Sequence, residues 1–433
     1  HQQVYETDLA MLGENHPNTA GDLNNMASVN RRLGDYQKAE SLFRKSLDLM
    51  ISALGEDSPQ SISVMNNLSL LLENQGLYDE AEPLFKKAFS ISIKIQGEKH
   101  PTTLALLNNL AFLYESQGDF SRSELNYKKV IELNNDIFGE THTNTLSNQN
   151  NLAYLFLREE RFKEARPIFA KVHRHWEKQL GGNHQNTLKA LNNLGRVQKS
   201  LGELELAEKN LSAALNGRKK VFGKRHADTL RSMNDIAELY VVQQKNDQAL
   251  KMFRETLKLE EEVLGENHPY TFETLNNLSG LLEKLGKKEE AYRVYKTGFE
   301  RRNTFFDRVL WVAGDNTRQS YIRLHKPEQD AYVRMLLSLA DERTAQDLFE
   351  VSLRRKGMLL KITSETQQVV LMSAEPELKR ITDELTETRK KLAGLTLSGP
   401  TTENREQFPK LVYELEERVN FLQLELGEKS QRF

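Results

Sequence analysis

The chain has 433 residues, 38% hydrophobic and 28% charged, a balance that suits a soluble protein with a thin core and excludes an extended disordered polymer. Its 60 basic and 62 acidic side chains leave a net charge of −2, which excludes the one-signed field that draws a protein onto nucleic acid or an anionic membrane. The absence of cysteine removes disulfides, thiolate metal sites and cysteine nucleophiles, and no run reaches the roughly 18 to 20 apolar residues of a membrane span. The N-terminus lacks the charged-then-apolar pattern of a signal peptide, so a cytoplasmic location without a membrane partner is expected.

Residues 1–11 read as the tail of a preceding repeat helix, and with His1 in place of Met the chain is expected to be a fragment or a processed product. Residues 12–300 are periodic. Asn-Asn recurs at 24, 66, 108, 150, 192 and 276, with Asn234-Asp235 in the remaining slot, so seven copies share a step of 42 residues. Each copy opens on a glycine, from Gly13 and Gly55 to Gly223 and Gly265, whose left-handed conformation closes the helix before it. A polar segment such as Glu266-Asn267-His268-Pro269 then supplies caps and a proline for the first turn of the next helix.

In the third copy Leu104, Leu107, Leu110, Ala111 and Tyr114 fall three and four apart, as one buried face of a helix requires. Gly118 ends that helix, and a second carries Tyr127, Val130 and Ile131; in the second copy the corresponding helix has Tyr78, Ala81, Leu84, Phe85 and Ala88. This order of Leu-Ala-x-x-Tyr, Gly-x-aromatic, Ala and aromatic resembles the tetratricopeptide repeat, lengthened from about 34 residues in the manner of kinesin-light-chain repeats. The resemblance implies an all-α fold, a right-handed tetratricopeptide superhelix or α-solenoid of seven hairpins, with a concave groove lined by the first helix of each.

The tetratricopeptide register puts the first Asn of each pair on the groove wall. Asn24, Asn66, Asn108, Asn150, Asn192, Asn234 and Asn276 are therefore candidates to grip the backbone of an extended peptide, because a carboxamide both donates and accepts. The same groups could instead bond across neighbouring helices and set the pitch. Arg158, Lys189, Arg196, Lys199 and Arg231 form a basic stripe, joined in the first copy by Arg31 and Arg32, which suits an acidic peptide or a terminal carboxylate unless it is only a solvated face. His16, His100, His142, His184, His226 and His268 recur in the connectors about 10 Å apart, too far to share an ion. They are expected to cap helices, and neither a metal nor a cofactor is expected.

Residues 301–373 read as a helical connector, with helices from about 327 to 340 and 344 to 373. Residues 374–433 read as an antiparallel coiled-coil hairpin, with one seam at Leu378, Ile381, Leu385, Thr388, Leu392 and Leu395 and the other at Phe408, Val412, Leu415, Val419, Leu422 and Leu426. Asp307-Arg308-Val309-Leu310, Leu353-Arg354-Arg355-Lys356-Gly357 and Gly394-Leu395-Thr396-Leu397-Ser398-Gly399-Pro400 resemble the region before the peptidase in bacterial TPR-CHAT proteins. That resemblance implies a caspase-like cysteine peptidase beyond Phe433, controlled by a partner of the repeats, and for some members work beside a CRISPR effector in antiviral defence. No catalytic residue maps onto this chain, so no enzymatic activity is expected of it. The Arg354-Arg355-Lys356 triplet is a docking candidate for an acidic surface or nucleic acid, or else a solvated face.

The expected function is a protein-protein interaction scaffold that senses a partner. Its alternatives are the regulatory half of a caspase-like protease and, more weakly, RNA contact through the basic stripe.

Overall fold

The computed structural model describes residues 2–32, 36–312, 315–339, 341–352, 376–398 and 407–430, and among them every regular element is an α-helix. In chain order they are α1 (Gln2–Leu12), α2 (Pro17–Arg32), α3 (Tyr36–Leu54), α4 (Pro59–Gln75), α5 (Tyr78–Gln96), α6 (Pro101–Gln117) and α7 (Phe120–Phe138). They continue as α8 (Thr143–Arg158), α9 (Phe162–Leu180), α10 (Gln185–Ser200), α11 (Leu204–Phe222), α12 (Ala227–Val242), α13 (Asn246–Val263) and α14 (Pro269–Lys284). The last are α15 (Lys288–Val312), α16 (Asp315–Leu339), α17 (342–352), α18 (Pro376–Ser398) and α19 (Phe408–Ser430). The chain forms two units, one of His1–Gly118 with Phe306–Leu324 and Leu353–Phe433, the other of Asp119–Phe305 with His325–Ser352. The Leu353–Gly357 motif with its basic triplet, and Gly399-Pro400, lie outside the described residues.

Within each unit successive helices pack side by side, and alternate helices also touch, α2 on α4 on α6 in the first and α8 on α10 on α12 on α14 in the second. This is the layering of an α-solenoid. Its core repeats as the sequence does. The second helix of each hairpin buries a small residue (Ala39, Ala81, Ser123, Ala165, Ala207, Ala249, Ala291) and, four residues on, a large one (Phe43, Phe85, Tyr127, Phe169, Leu211, Phe253, Tyr295). A small side chain lets two helices approach to the short end of their usual 8 to 10 Å separation, and the large one fills the layer between them.

The connectors are built from three local bonds. Gly55, Gly97 and Gly139 adopt positive φ, and the N–H of each donates to the carbonyl four residues before, at 2.9 Å. The histidines cap as expected: Nδ1 of His16, His100, His142, His184, His226 and His268 accepts from the backbone N–H two residues on, each at 3.2 Å. Ser58 takes this place in the second repeat, its Oγ accepting from Ser61 N at 3.1 Å. A third bond was not legible in advance: the hydroxyls of Thr19, Ser61, Thr103, Thr145, Thr229 and Thr271 each donate to the carbonyl of the connector glycine six residues before, at 2.8 to 2.9 Å.

The turn inside each of the six hairpins whose turn residues are described also needs a left-handed residue. Gly76, Gly118, Gly202 and Gly286 provide it, but Glu160 (φ 59°) and Gln244 (φ 61°) hold the same conformation with a side chain present.

Beyond the seventh hairpin the helices differ from expectation in length. Within the helical connector a helix is expected from about 327 to 340, whereas α15 runs to Val312 and α16 starts at Asp315 with Pro327 inside it. At 307, where the 42-residue interval would place the next connector glycine, the sequence has Asp. In the second unit Tyr332, Met335, Leu336 and Val351 close the last layer over Tyr292, Tyr295 and Phe299. In the first unit α18 and α19 pack through Leu378, Ile381, Leu385, Val419, Leu422 and Leu426. Their antiparallel sense is fixed by pairs from opposite ends, Lys429 with Glu377 and Arg418 with Glu384.

Candidate partner-binding groove

The asparagines obey a rule of their own. In the first unit the second member of each pair reaches back to the first member of the preceding repeat: Asn67 Nδ2 donates to Asn24 Oδ1 at 3.0 Å, and Asn109 Nδ2 to Asn66 Oδ1 at 2.8 Å. Asn108 Nδ2 turns to Asn109 Oδ1 at 3.4 Å. In the second unit Asn150, Asn192 and Asn234 are buried, while Asn276 is half-buried. Asn192 accepts from Ser232 Oγ at 2.7 Å and donates to Asp235 Oδ2 at 2.6 Å. Asn234 accepts from Asn277 at 3.3 Å and from Thr274 at 3.2 Å, and donates to Glu238 at 3.0 Å. These carboxamides spend much of their bonding capacity between helices, which is the second of the two roles open to them.

The basic stripe is split by acids that stand on the same wall. Arg196 Nε lies 3.2 Å from Asp235 Oδ1, and Lys199 is paired with Glu238. Asp235 fills the slot where the other repeats have the second Asn, so one departure from the repeat pattern supplies the counter-charge. Although buried, its carboxyl is held below the usual range by Arg196, Arg231 and Lys199 and by the Asn192 amide.

Lys189 and Arg231 are not matched in this way. They occupy the same place in α10 and α12, one repeat apart, and among the described residues neither forms an ion pair. Arg231 is gripped by two tyrosines: Nη2 donates to Tyr154 Oη at 2.8 Å and Nη1 to Tyr270 Oη at 3.5 Å, while the guanidinium stands 5.5 and 5.4 Å from the two ring centres. Burial opposes its charge, but the two phenols, Asp235 and Glu273 hold its pKa well above the ordinary value. Lost hydration and the like charge of Arg231 lower the pKa of Lys189, which still reaches solvent. Arg196 also leans on the Tyr154 ring, 5.7 Å from its centre.

Arg158 stands apart at the exposed end of α8, its guanidinium 5.4 Å over Phe120. Arg31 belongs to the first unit, where its charge acts on Glu73, and the Arg32 side chain lies outside the described residues. Of the five predicted basic residues, then, four converge, two of them already neutralised. The groove roles of Tyr154, Tyr270, Asp235, Glu238 and Glu273 went unnoticed in the sequence. The break in the Asn pair at 235 and the single tyrosine at the 154 groove position were the available signals.

Glu273 follows Lys189 and Arg231 at the same place in α14. Burial raises its carboxyl pKa, and the neighbouring Glu238 and Asp235 add to this against Arg196 and Arg231. Among the described residues no group of three His, Cys, Asp or Glu side chains could hold a metal, and no helix is long and apolar enough to cross a membrane.

A family model described as "Tetratricopeptide repeat" matches residues 1–52, 19–73, 60–136, 143–220, 199–259 and 228–304. Among solved structures, a Podosopora anserina putative kinesin light chain with nearly identical TPR-like repeats is 21% identical, with 48% of this chain and 98% of that one covered and a TM-score of 0.41. BtubC (BKLC) from P. vanneervenii is 23% identical, with 51% and 89% covered and a TM-score of 0.44. A Rap protein complexed with Competence and Sporulation Factor is 12% identical, with 80% and 98% covered and a TM-score of 0.52. No curated protein matches.

Proposed function

Because the chain belongs to the tetratricopeptide repeat family, whose scaffold typically serves protein-protein interaction, we propose that its repeats hold an extended segment of another protein along α8, α10, α12 and α14. The observation that carries this reading is the unmatched pair Lys189 and Arg231, the latter held in place by Tyr154 and Tyr270. Two like charges side by side, neither in an ion pair among the described residues, favour any ligand that brings an acidic group between them. The tyrosines prepay the ordering of Arg231, so little side-chain entropy is lost on binding. The buried asparagines fix the spacing of the helices, and the half-buried ones remain candidates to meet a peptide backbone.

A selection of random ten-residue peptides displayed on phage tests the reading on the full chain. Wild-type protein is expected to enrich sequences containing Asp or Glu, and the double variant Lys189→Ser with Arg231→Ser to lose that enrichment by about tenfold or more. Absence of enrichment with wild-type protein overturns it.

The wider role we propose is the sensing arm of a TPR-CHAT system in bacterial defence, with a caspase-like peptidase or a CRISPR effector as partner. It is supported by the resemblance at 307–310, 353–357 and 394–400, where the α18 and α19 pair would form a coiled-coil relay. A parent reading frame that ends near Phe433, without a His and Cys pair beyond it and without a separate peptidase that co-purifies, would remove this role. Contact with RNA is disfavoured by Asp235, Glu238 and Glu273 on the same wall, and it predicts affinity that falls steeply with salt.

A further inference from the structure

The charges left over in this groove have two signs in a set order. Lys189, Arg231 and Glu273 stand at one position of three successive helices, α10, α12 and α14, which pack directly on one another. They share a helical stripe with Asn192, Asn234 and Asn276, three residues further along each helix. The other charges on this wall cancel locally, Arg196 against Asp235 and Lys199 against Glu238. Among the described residues Glu273, like Lys189 and Arg231, has neither an ion pair nor a side-chain hydrogen bond to a charged group. Its charged neighbours are of both signs, Arg196 and Arg231 against Glu238 and Asp235, and with burial the balance still raises its carboxyl pKa. A uniformly acidic segment would be attracted at α10 and α12 and repelled at α14.

We propose that the segment held here is dipolar, with an acidic side chain between Lys189 and Arg231 and a basic side chain at Glu273. The inference rests on the groove reading above and narrows it. Directly packed helices lie about 8 to 10 Å apart, so one and a half steps from the middle of the cation pair to Glu273 cover roughly 12 to 15 Å. An extended chain advances about 3.3 to 3.6 Å per residue, which puts the two charges about four residues apart. The acidic group relieves the repulsion between Lys189 and Arg231. The basic group supplies Glu273 with the ion pair it lacks among the described residues.

The peptide selection described above, repeated with Glu273→Lys and Glu273→Gln, tests the order of charges. Circular dichroism of each variant reports whether the helices are retained. Wild-type protein is expected to enrich peptides with an acid and a base about four residues apart, and replacing the base by Ala in a selected peptide to weaken binding about tenfold. Glu273→Lys should exchange the preferred base for an acid, and Glu273→Gln should abolish the preference at that place. If selected peptides are acidic throughout, or if their charges do not respond to either variant, the dipolar proposal fails while the groove reading stands. If wild-type protein enriches nothing, both fail.

Discussion

Replacing Glu260 by Gln should remove one large contribution to the pH dependence of stability. Glu260 lies on α13 with none of its surface exposed, and neither carboxyl oxygen has a hydrogen-bond partner among the described residues. Thr274 is close, but its hydroxyl proton goes to Asn234 at 3.2 Å, so it offers a negative carboxylate little relief. Burial, with Glu273 and Glu261 nearby, raises the carboxyl from an ordinary 4.5 to about 8. A folded-state pKa above the unfolded one means that the native chain holds its proton more tightly. The contribution of this group is then fully present below pH 4.5, declines as the pH rises towards about 8, and is gone above that. At about 1.4 kcal/mol per pH unit, the loss is on the order of 3 kcal/mol at pH 7 and 5 kcal/mol above pH 8. Glu260→Gln keeps the shape and removes the titration. Urea unfolding followed by circular dichroism at pH 4, 7 and 9 should find the two proteins within about 1 kcal/mol at pH 4 and the variant progressively more stable above it. Equal pH dependence of the two proteins, or a variant less stable at pH 9, would refute the reasoning.

Four further substitutions follow from the packing. Asp235→Asn restores the repeat pattern but strands Arg196 beside Tyr154, and should cost about 3 to 5 kcal/mol in urea unfolding at pH 7. Because the Asp235 carboxyl is held below its ordinary value, this difference should persist until the pH falls through that lowered value. Glu160→Gly and Gln244→Gly relieve left-handed residues at hairpin turns, and each should raise the denaturation midpoint by the equivalent of about 1 kcal/mol. Gly195→Ala should lower it by about 1 to 3 kcal/mol, since an added Cβ would meet Leu211 Cγ at 2.7 Å. That position is Ala or Ser in the other repeats, whereas in the fifth Leu211 stands where its six counterparts carry aromatic rings.

What could be read in advance followed from chemistry that acts over a few residues. The 42-residue step, the connector glycines, the histidine caps and the small-then-large stripe of the second helices all depend on local conformation and helical periodicity, and a linear string displays both. The seven asparagines were equally visible, but their role was not, because an amide 42 residues from the next can face a ligand or a neighbour with no change in sequence.

The charges of the groove illustrate the difference. The sequence by itself determined that Lys189, Arg196, Lys199 and Arg231 would share one face of the array. Only the tertiary structure decided that Arg196 and Lys199 are neutralised from the next groove helix by Asp235 and Glu238, while Lys189 and Arg231 form no ion pair among the described residues. The physical reason is that Coulomb energy depends on a separation of a few ångströms and on burial, whereas sequence distance across a repeat is constant whether two side chains touch or not.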